Sequence, residues 1–438
     1  MVQDLVFTAE ELADAWPILS TEERVEGFVL LGDAEAEDYF FQLSAGDQAE
    51  LVLALPQAQR RRWIRLLAPD DAADLVQAAP EEERQPLLNL LDDASRTDVR
   101  ALLAYAEDEA GGVMNPHFVR VRPDMTVEEA LRYVRRQAAH RDRMVYYAYV
   151  LDPDQHLLGV VSFRQMFRAP GEAAVREIMH TPVISVAEET DQEAVAAIFS
   201  ENDLLAVPVV DEYNRMKGVV TVDDIVEVLA EEATEDIQKI GGSEALDAPY
   251  LKVGLPAMIR KRAGWLSALF IGEMLTATAM GFYEKEISQA VILALFVPMI
   301  ISSGGNSGSQ ATTLIIRAMA LKEVRLRSWF RVFRRELLAG LGLGVILAVI
   351  GLLRILVWHA VGGAYGEHYL LIGMTVALSL IGVVTWGTLA GSMLPFLLRR
   401  LGFDPASASA PFVATLVDVT GLIIYFTVAS LVLAGTLL

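Results

Sequence analysis

The pattern of hydrophobic and polar positions changes near residue 250. Beyond it, long apolar stretches follow one another at about 263–283, 287–319, 337–361, 370–398 and 411–437. A helix needs roughly 20 apolar residues to cross the hydrocarbon of a bilayer. The pattern therefore predicts a five-span α-helical membrane domain surrounded by lipid. A buried soluble core is the alternative, but it does not require stretches of this length.

Residues 1–110 show shorter amphipathic periodicities, with stripes of Leu and Ala that recur about every dozen residues. Proline followed by acids occurs at Pro69-Asp70-Asp71 and at Pro80-Glu81-Glu82. Both residue types suit the first turn of a helix. These features predict an all-α domain built as a compact stack of short helices, whose handedness stays open.

Residues 111–240 contain an internal repeat of strands and helices. The predicted strands form two pairs, Val145–Val150 with Leu158–Ser162 and Ala206–Val210 with Gly218–Val222. The strands of each pair are separated by a turn, at Asp152-Pro153-Asp154 and at Asp211–Lys217, and each pair is preceded by a helical pattern. The second pair repeats the first at an offset of about 59 residues, which predicts two copies of one α/β unit.

The composition becomes informative once the chain is divided. The 438 residues include 36 basic and 58 acidic residues and no Cys, for a net charge of −22. Residues 251–438 hold 15 basic and 8 acidic residues, or +7, which leaves −29 for residues 1–250. The absence of Cys excludes disulfides, thiolate metal sites and a Cys nucleophile. The acidic balance argues against nucleic acid as a partner.

Basic residues in the loops predict the orientation in the membrane. With five spans, the clusters at Arg260–Arg262, Lys322–Arg335 and Arg399-Arg400 fall on one side. Cytoplasmic loops carry such an excess of Lys and Arg. Residues 1–20 lack the basic region of a signal peptide. We therefore expect a multi-pass protein of the plasma (inner) membrane, with a cytoplasmic N-terminus and an external C-terminus.

The internal repeat resembles a tandem pair of cystathionine-β-synthase-type (CBS) domains. The resemblance rests on Met114-Asn115-Pro116, on Met179-His180-Thr181-Pro182 and on the Gly-Val-Val-Ser/Thr strands. It implies a regulatory module that often binds adenine nucleotides such as ATP. The ribose-binding pattern of that family occurs at Thr221 and Asp224, whereas the first copy has Gln165 at the acidic position. One nucleotide site is thus expected, and a purely structural role for both copies stays open.

The membrane half resembles the MgtE family of magnesium channels and transporters. The motifs are Pro298 followed by Ser303–Gln310, then Leu401–Ala406, then Pro411–Gly421. The resemblance covers nearly the whole chain and implies four parts. They are an acidic helical N-domain (1–110), tandem CBS domains (111–240), a connecting plug-type helix (241–262) and a transmembrane pore domain (263–438).

Two residues differ from those that the MgtE resemblance leads us to expect. Ala410 lies where relatives often carry Asn or Gly near the cytoplasmic mouth of the pore. Glu273 lies in the first span, where the family usually has an uncharged residue. Arg354 is a further unexpected charge within a span. A transport role for Glu273 or Arg354, or a solvated or paired one, stays open.

Asp418 is the strongest candidate for a cation site. It lies about two turns into an apolar span, where a carboxylate must face water, a cation or a partner. Thr415 and Gly421 lie three residues to either side, on roughly the same face. Because one chain supplies one such acid, we expect a homodimer with the pore on its two-fold axis.

The segment Gly304–Gly308 is the second candidate for a pore element. So many small residues are expected to break the helix or wind it tightly, which a membrane tolerates where backbone lines a cavity. Amide oxygens of Asn306 and Gln310 would then face the ion; a packing seam of small residues is the alternative. The predicted pore set is Asp418, Thr415, Gly421, Asn306 and Gly305.

The acidic half is expected to sense intracellular Mg²⁺. Divalent cations would bridge acids of the N-domain, the CBS pair and the connecting helix, and so relieve their repulsion. The candidate regulatory ligands are Asp70, Asp71, Asp74, Asp92, Asp93, Asp223, Asp224, Glu227, Glu231, Glu232, Glu235, Asp236 and Asp247. For any one of them, a solvated surface position is the alternative.

The predicted function is a magnesium-selective channel that imports hydrated Mg²⁺ and is closed by intracellular Mg²⁺. The alternative is a gradient-coupled secondary transporter of Mg²⁺ or another divalent cation such as Co²⁺. Such transporters usually contain inverted repeats, which the five spans do not show. With 6 His, no Cys and no nucleophile–base motif, an enzyme is not expected.

Overall fold

The computed structural model describes residues 8–138, 146–246, 250–251, 253–362 and 365–437. The chain divides into two compact units, Met1–Glu231 and Glu232–Leu438. The first holds the helical N-terminal domain and two small sheets, and the second holds long apolar helices. This confirms the predicted multidomain fold class.

Short helices with a regular spacing build the start of the first unit. In the described chain they are α1 (Ala9–Ala15), α2 (Thr21–Leu30), α3 (Asp33–Gln42), α4 (Ala45–Ala54), α5 (Gln57–Leu66), α6 (Pro69–Ala78), α7 (Glu81–Leu88) and α8 (Asp93–Leu102). Their first residues are spaced by twelve throughout. Thr8 and Ser20 form capping boxes with Glu11 and Glu23, which satisfies free backbone amides at two of the helix starts. The predicted stack of short helices is confirmed.

Aromatic side chains fill the core of this helical stack. Phe28 and Phe40 pack against Trp63 with ring centroids 4.8 and 5.1 Å away. The same buried cluster continues into the second α/β repeat through residues such as Val207 and Val220. The N-terminal domain and the second repeat therefore share one hydrophobic core, which fixes their relative position within the first unit.

Two three-stranded sheets with the same topology follow. The first repeat has β1 (Val119–Val121), α9 (Val127–Ala138), β2 (Tyr147–Leu151), β3 (Leu157–Ser162), α10 (Phe163–Arg168) and α11 (Val175–Ile178). The second has β4 (Val186–Ala187), α12 (Gln192–Asn202), β5 (Ala206–Val210), β6 (Met216–Thr221) and α13 (Val222–Ile240). In each sheet the first strand pairs parallel and the last pairs antiparallel with the middle one. The hairpin strands repeat at an offset of 59 residues, as predicted.

The segment after the repeat differs from the predicted connecting helix over 241–262. Helix α13 ends at Ile240, and a turn with Gly242 at φ +76° follows. Glycine adopts this left-handed conformation without steric cost, so it ends the helix here. The next helix, α14, begins at Leu255 with Pro256 in its first turn and already contains Arg260.

The second unit consists mainly of long apolar helices. The long ones are α14 (Leu255–Phe282), α17 (Val297–Ala320), α18 (Trp329–Gly362), α19 (Tyr369–Arg400) and α20 (Ala410–Leu433). Two short helices, α15 (Glu284–Gln289) and α16 (Val291–Ala294), lie between α14 and α17. Within the described chain, five helical stretches are long and apolar enough to cross a membrane. They are Leu255–Phe282, Val291–Ala320, Leu326–Gly362, Tyr369–Arg400 and Ala410–Leu433.

Helix α17 runs without interruption through Gly304–Gly308, so the expectation of a broken or tightened helix is wrong. Its glycines instead let α17 and α19 approach each other closely. A Cβ on Gly387 would lie 2.3 Å from the carbonyl oxygen of Gly304, and one on Gly391 would lie 2.2 Å from that of Gly308. Such small-residue seams are the usual way for membrane helices to pack.

Hydroxyl groups join the same two helices beside the glycines. The Oγ of Ser307 and the Oγ1 of Thr388 are 2.7 Å apart. Thr312 Oγ1 lies 2.9 Å from the carbonyl oxygens of both Gly308 and Gly391. These side chains are buried, so their hydrogen bonds add to the packing in a region without water.

The glycine seam gives a paired stability prediction. Gly387→Ala forces a methyl group against the backbone of α17, and overpacking of this kind costs about 1–3 kcal/mol. Gly342→Ala, in α18, meets no atom within 4 Å and should stabilise its helix slightly. Thermal unfolding of the purified full chain in detergent measures both. Equal midpoints for the two variants would contradict this account of the seam.

Candidate cation sites

Helix α20 is fixed against α17 and α19 by small residues. The position of a Cβ on Gly305 is 3.6 Å from Ala414, and a Cβ on Gly421 would lie 3.0 Å from Val383 Cγ1. Gly305 and Gly421 are both buried. The structure therefore gives these two predicted pore residues a packing environment, and they set the position of α20 rather than line an open face.

Asp418 lies half-buried on a different side of α20, toward α14. Its carboxyl group is within hydrogen-bonding reach of the carboxyl group of Glu273. Gly272 makes this approach possible, because a Cβ there would lie 2.9 Å from Thr415 Cγ2. Sequence reasoning named Asp418 and Glu273 separately and missed that they meet, since helix contacts are not encoded in local spacing.

A groove of about 610 Å³ opens beside these acids between α14 and α20. Its polar lining includes Ser267, Glu273 and Thr415, and the rest is apolar. Thr415 donates a hydrogen bond to the carbonyl oxygen of Pro411, which is 3.1 Å away. Of the predicted pore set, Thr415 lines this groove and Asp418 lies beside Glu273, which also lines it. Asn306 is exposed on α17 together with Gln310.

Polar contacts gather at the start of α20. The Nε1 of Trp265 donates to the Oγ of Ser409 at 3.1 Å, and that Oγ also accepts from the backbone of Phe412 as the helix cap. Ser309 Oγ donates to the carbonyl oxygen of Ala410 at 3.2 Å. These bonds connect α14 and α17 to the first turn of α20, next to the position where Ala410 departs from the family pattern.

The end of α13 is bound to the loop before α20 by an ion pair. Lys239 Nζ lies 2.7 Å from Asp404 Oδ2 and also pairs with Glu235. The other oxygen of Asp404 accepts from the backbone of Ala406 and so starts a short 3₁₀ helix, Pro405–Ser407. Sequence reasoning missed this pair, because the two residues are far apart in the chain.

Carboxylates converge within the first unit where α6 meets the start of α13. Asp70, Asp71 and Asp224 each place an oxygen within 4.8 Å of the others. Asp74, one turn along α6, keeps an exposed surface, and desolvation together with the charges of Asp70, Asp71, Asp224 and Glu227 raises its pKa to about 8. A proton on Asp74 would relieve part of the repulsion among these neighbouring acids.

The same interface holds hydrogen bonds that position the acids. Asn115, which opens the first repeat, donates from Nδ2 to Asp70 Oδ1 at 3.3 Å. His117 Nε2 lies 2.8 Å from Asp98 Oδ2. Both contacts join the helical domain to the repeat, and the first positions Asp70 through a neutral amide.

The remaining predicted regulatory acids lie elsewhere. Asp92 caps α8 through the backbone of Ser95, and Asp93 pairs with Arg96, so both have local structural roles. Desolvation and the charge of Glu107 raise the pKa of Glu231. Asp223 is exposed in the first turn of α13, and Glu232, Glu235 and Asp236 follow along that helix. Asp247 lies outside the described residues.

The predicted nucleotide residues contact each other at the start of α13. Thr221 Oγ1 donates to Asp224 Oδ2 at 2.7 Å, and the backbone amide of Thr221 donates to the same oxygen at 3.2 Å. Asp224 thus belongs both to this pair and to the acidic cluster. A ribose hydroxyl and a cation would compete for one carboxylate.

Comparison with known proteins agrees with the multidomain architecture of the chain. Three family models match: "MgtE intracellular N domain" at 7–108, "CBS domain" at 110–172 and 175–231, and the MgtE "Divalent cation transporter" at 297–428. The magnesium transporter MgtE of Thermus thermophilus is 42% identical over 345 residues, which is 79% of this chain and 74% of the relative. The chain belongs to the MgtE family.

Two further MgtE proteins are similar to this chain. The magnesium transporter MgtE of Enterococcus faecalis is 34% identical and covers 76% of this chain and 71% of its own length. A crystal structure of the cytosolic domain of the Mg²⁺ channel MgtE in complex with ATP aligns with a TM-score of 0.47 at 42% identity. It covers 50% of this chain and 90% of that one. The family is one of transporters, not of enzymes.

The raised pKa of Asp74 predicts a pH dependence. The folded chain keeps this proton up to about pH 8, whereas the unfolded chain loses it near the ordinary pKa of an Asp. The free energy of unfolding should therefore fall as the pH rises through that window. Asp74→Asn should flatten the fall, measured as the melting midpoint of the full chain between pH 5 and 8 without divalent cations.

Asp93→Asn is the matched control, because Asp93 is an exposed acid of the same domain that pairs with Arg96. It should keep the pH slope of the unmodified chain. A slope that is the same in all three proteins would show that Asp74 is not the titrating group.

Proposed function

We propose that this MgtE-family chain is a magnesium-selective channel, with a pore between two copies that intracellular Mg²⁺ closes. The observation that carries the proposal is Asp418, a half-buried carboxylate within an apolar span that lies beside Glu273, a residue of the groove lining. Within the described chain no basic side chain pairs with it. A charge in such a position is expensive and calls for water or a cation.

Magnesium suits so sparse a site. Mg²⁺ sheds its inner waters reluctantly and is usually held through one or two carboxylates with several waters retained. Rings of acidic side chains select cations in channels. An Asp418 from each of two copies would hold a hydrated ion on a shared axis, with hydroxyl groups such as Thr415 nearby.

The exposed surface of α14 supports a homodimer. None of the residues Leu255–Phe282, all of which the structure describes, is buried within the chain. Polar Ser267 and charged Glu273 lie on this helix, and lipid is a poor environment for both. A second copy that covers this face would remove the acids from lipid and bring two Asp418 side chains toward one pore.

The continuous α17 favours a channel over a coupled transporter. Coupled transporters typically bind their substrates at discontinuous helices near the middle of the membrane. Here the glycine motif Gly304–Gly308 forms a regular helix that packs on α19. Flux that stays the same when sodium and proton gradients are abolished is the expected result for the channel.

Closure by intracellular Mg²⁺ would begin at the acids Asp70, Asp71 and Asp224. A cation bound among them would hold α6 of the N-terminal domain to the start of α13. Helix α13 carries Asp224 near its start and Lys239 near its end, where the pair with Asp404 joins it to the loop before α20. One helix would thus transmit the occupancy of the cluster to the pore helix.

We also propose a membrane orientation and a nucleotide site for this chain. The basic loop clusters favour a cytoplasmic N-terminus and an external C-terminus in the plasma membrane. ATP is proposed to bind at the second CBS copy through Thr221 and Asp224. Because Asp224 is also in the acidic cluster, nucleotide and Mg²⁺ would affect each other's binding.

Asp418→Asn tests the pore. The amide keeps the shape of the side chain but removes its charge, so Mg²⁺ flux into liposomes that contain the purified variant should fall by at least about 10-fold. Glu284→Gln, which changes an exposed acid of the short helix α15, is the control and should transport normally. Normal flux through a folded Asp418→Asn protein would exclude this residue as the pore site.

Lys239→Gln tests the transmission of closure. Without the ion pair to Asp404, high Mg²⁺ on the cytoplasmic side should inhibit flux less, and Asp404→Asn should have the same effect while its amide oxygen keeps the cap on Ala406. Glu235→Gln leaves the Lys239–Asp404 contact in place and is the matched control. Unchanged inhibition in Lys239→Gln would contradict a role of this pair.

A further inference from the structure

Glu273 lies within an apolar helix in a position that needs an explanation. It is exposed on the middle of α14, which spans Leu255–Phe282. A carboxylate at this depth does not face lipid without a large cost in free energy. Its surroundings therefore have to supply water, a cation or a second protein surface.

Small residues bring Glu273 to Asp418. Because Gly272 has no side chain, α14 lies very close to α20. A Cβ added at Gly272 would be only 2.9 Å from Thr415 Cγ2. At that separation the two carboxyl groups come within hydrogen-bonding reach. The groove of about 610 Å³ is lined by Glu273 and Thr415. Because Asp418 lies beside Glu273, an ion near one of these acids would also be near the other.

No basic group compensates this pair in the described part of the chain. The basic residue that stands out within an apolar span, Arg354 of α18, lies with its guanidinium 5.3 Å from the ring centroid of Trp358. Two carboxylates this close repel each other unless a positive charge is shared between them. The cation that the family transports has the required charge and the preference for oxygen ligands.

We propose that Glu273 is a second carboxylate of the transported-ion site and sets its affinity for Mg²⁺. The inference rests on the proposed pore role of Asp418 and adds a second acid to each copy. With two acids per copy, the site holds a hydrated divalent ion more tightly than Asp418 alone, through the ion's water shell. Loss of such a partner group typically lowers metal affinity about 10–100-fold.

The test measures Mg²⁺ flux against Mg²⁺ concentration for the full chain in liposomes. Glu273→Gln should raise the half-saturating concentration about 10-fold or more, and Glu273→Asp, which keeps the carboxylate, should restore most of the affinity. Glu284→Gln is the control for loss of an acid outside the groove and should behave as the unmodified chain.

A second variant moves Glu273 without removing its charge. Gly272→Ala places a methyl group against Thr415 and so separates α14 from α20, and it should raise the half-saturating concentration as well. This variant decides the matter if Glu273→Gln does not fold. An unchanged half-saturating concentration in either folded variant overturns the role of Glu273.

The two proposals fail in different ways. If Asp418→Asn abolishes flux while Glu273→Gln saturates at the original Mg²⁺ concentration, the pore assignment stands and the role of Glu273 is wrong. If Asp418→Asn transports normally, the proposed pore itself is wrong, whatever Glu273→Gln does. A shift that Glu273→Asp does not reverse would indicate a steric effect and also overturn the proposal.

Discussion

The membrane unit depends on the close contact between the backbones of α17 and α19. Lipid offers no hydrophobic gain for bringing two apolar helices together, so their association relies on packing and hydrogen bonds. The Gly304–Gly387 and Gly308–Gly391 pairs allow that packing, and Thr312 adds a hydrogen bond across it to the carbonyl oxygen of Gly391. Because α20 packs on both helices, the position of Asp418 follows from this contact.

Local periodicity made much of the fold predictable. Helix starts every twelve residues, hairpins offset by 59 residues and five long apolar stretches are all visible in the sequence. The Gly304–Gly308 motif shows where such reasoning fails. Glycine weakens a helix in water, but within a bilayer the backbone has no other hydrogen-bond partners, so α17 stays helical and uses its glycines for contact.

The candidate sites were predictable only in part. Asp418 stands out because a carboxylate in an apolar span is rare, whereas its approach to Glu273 depends on how two distant helices pack. The cytosolic acids show the same limit. Composition marks all of them equally, and only the tertiary structure separates Asp70, Asp71 and Asp224 from acids with local roles, such as the helix cap Asp92.

The acidic cluster takes its residues from two elements, and this matters for the closure of the pore by the transported ion. A ligand shifts a conformational equilibrium only by its difference in affinity between the two states. Asp70 and Asp71 come from α6 of the N-terminal domain and Asp224 from α13, so the cluster exists only while these elements are together. Separation would leave Asp70 and Asp71 on one element and Asp224 on the other, each with weaker affinity for Mg²⁺ than the complete cluster. A site shared between two elements therefore supplies the difference that a site within one helix cannot.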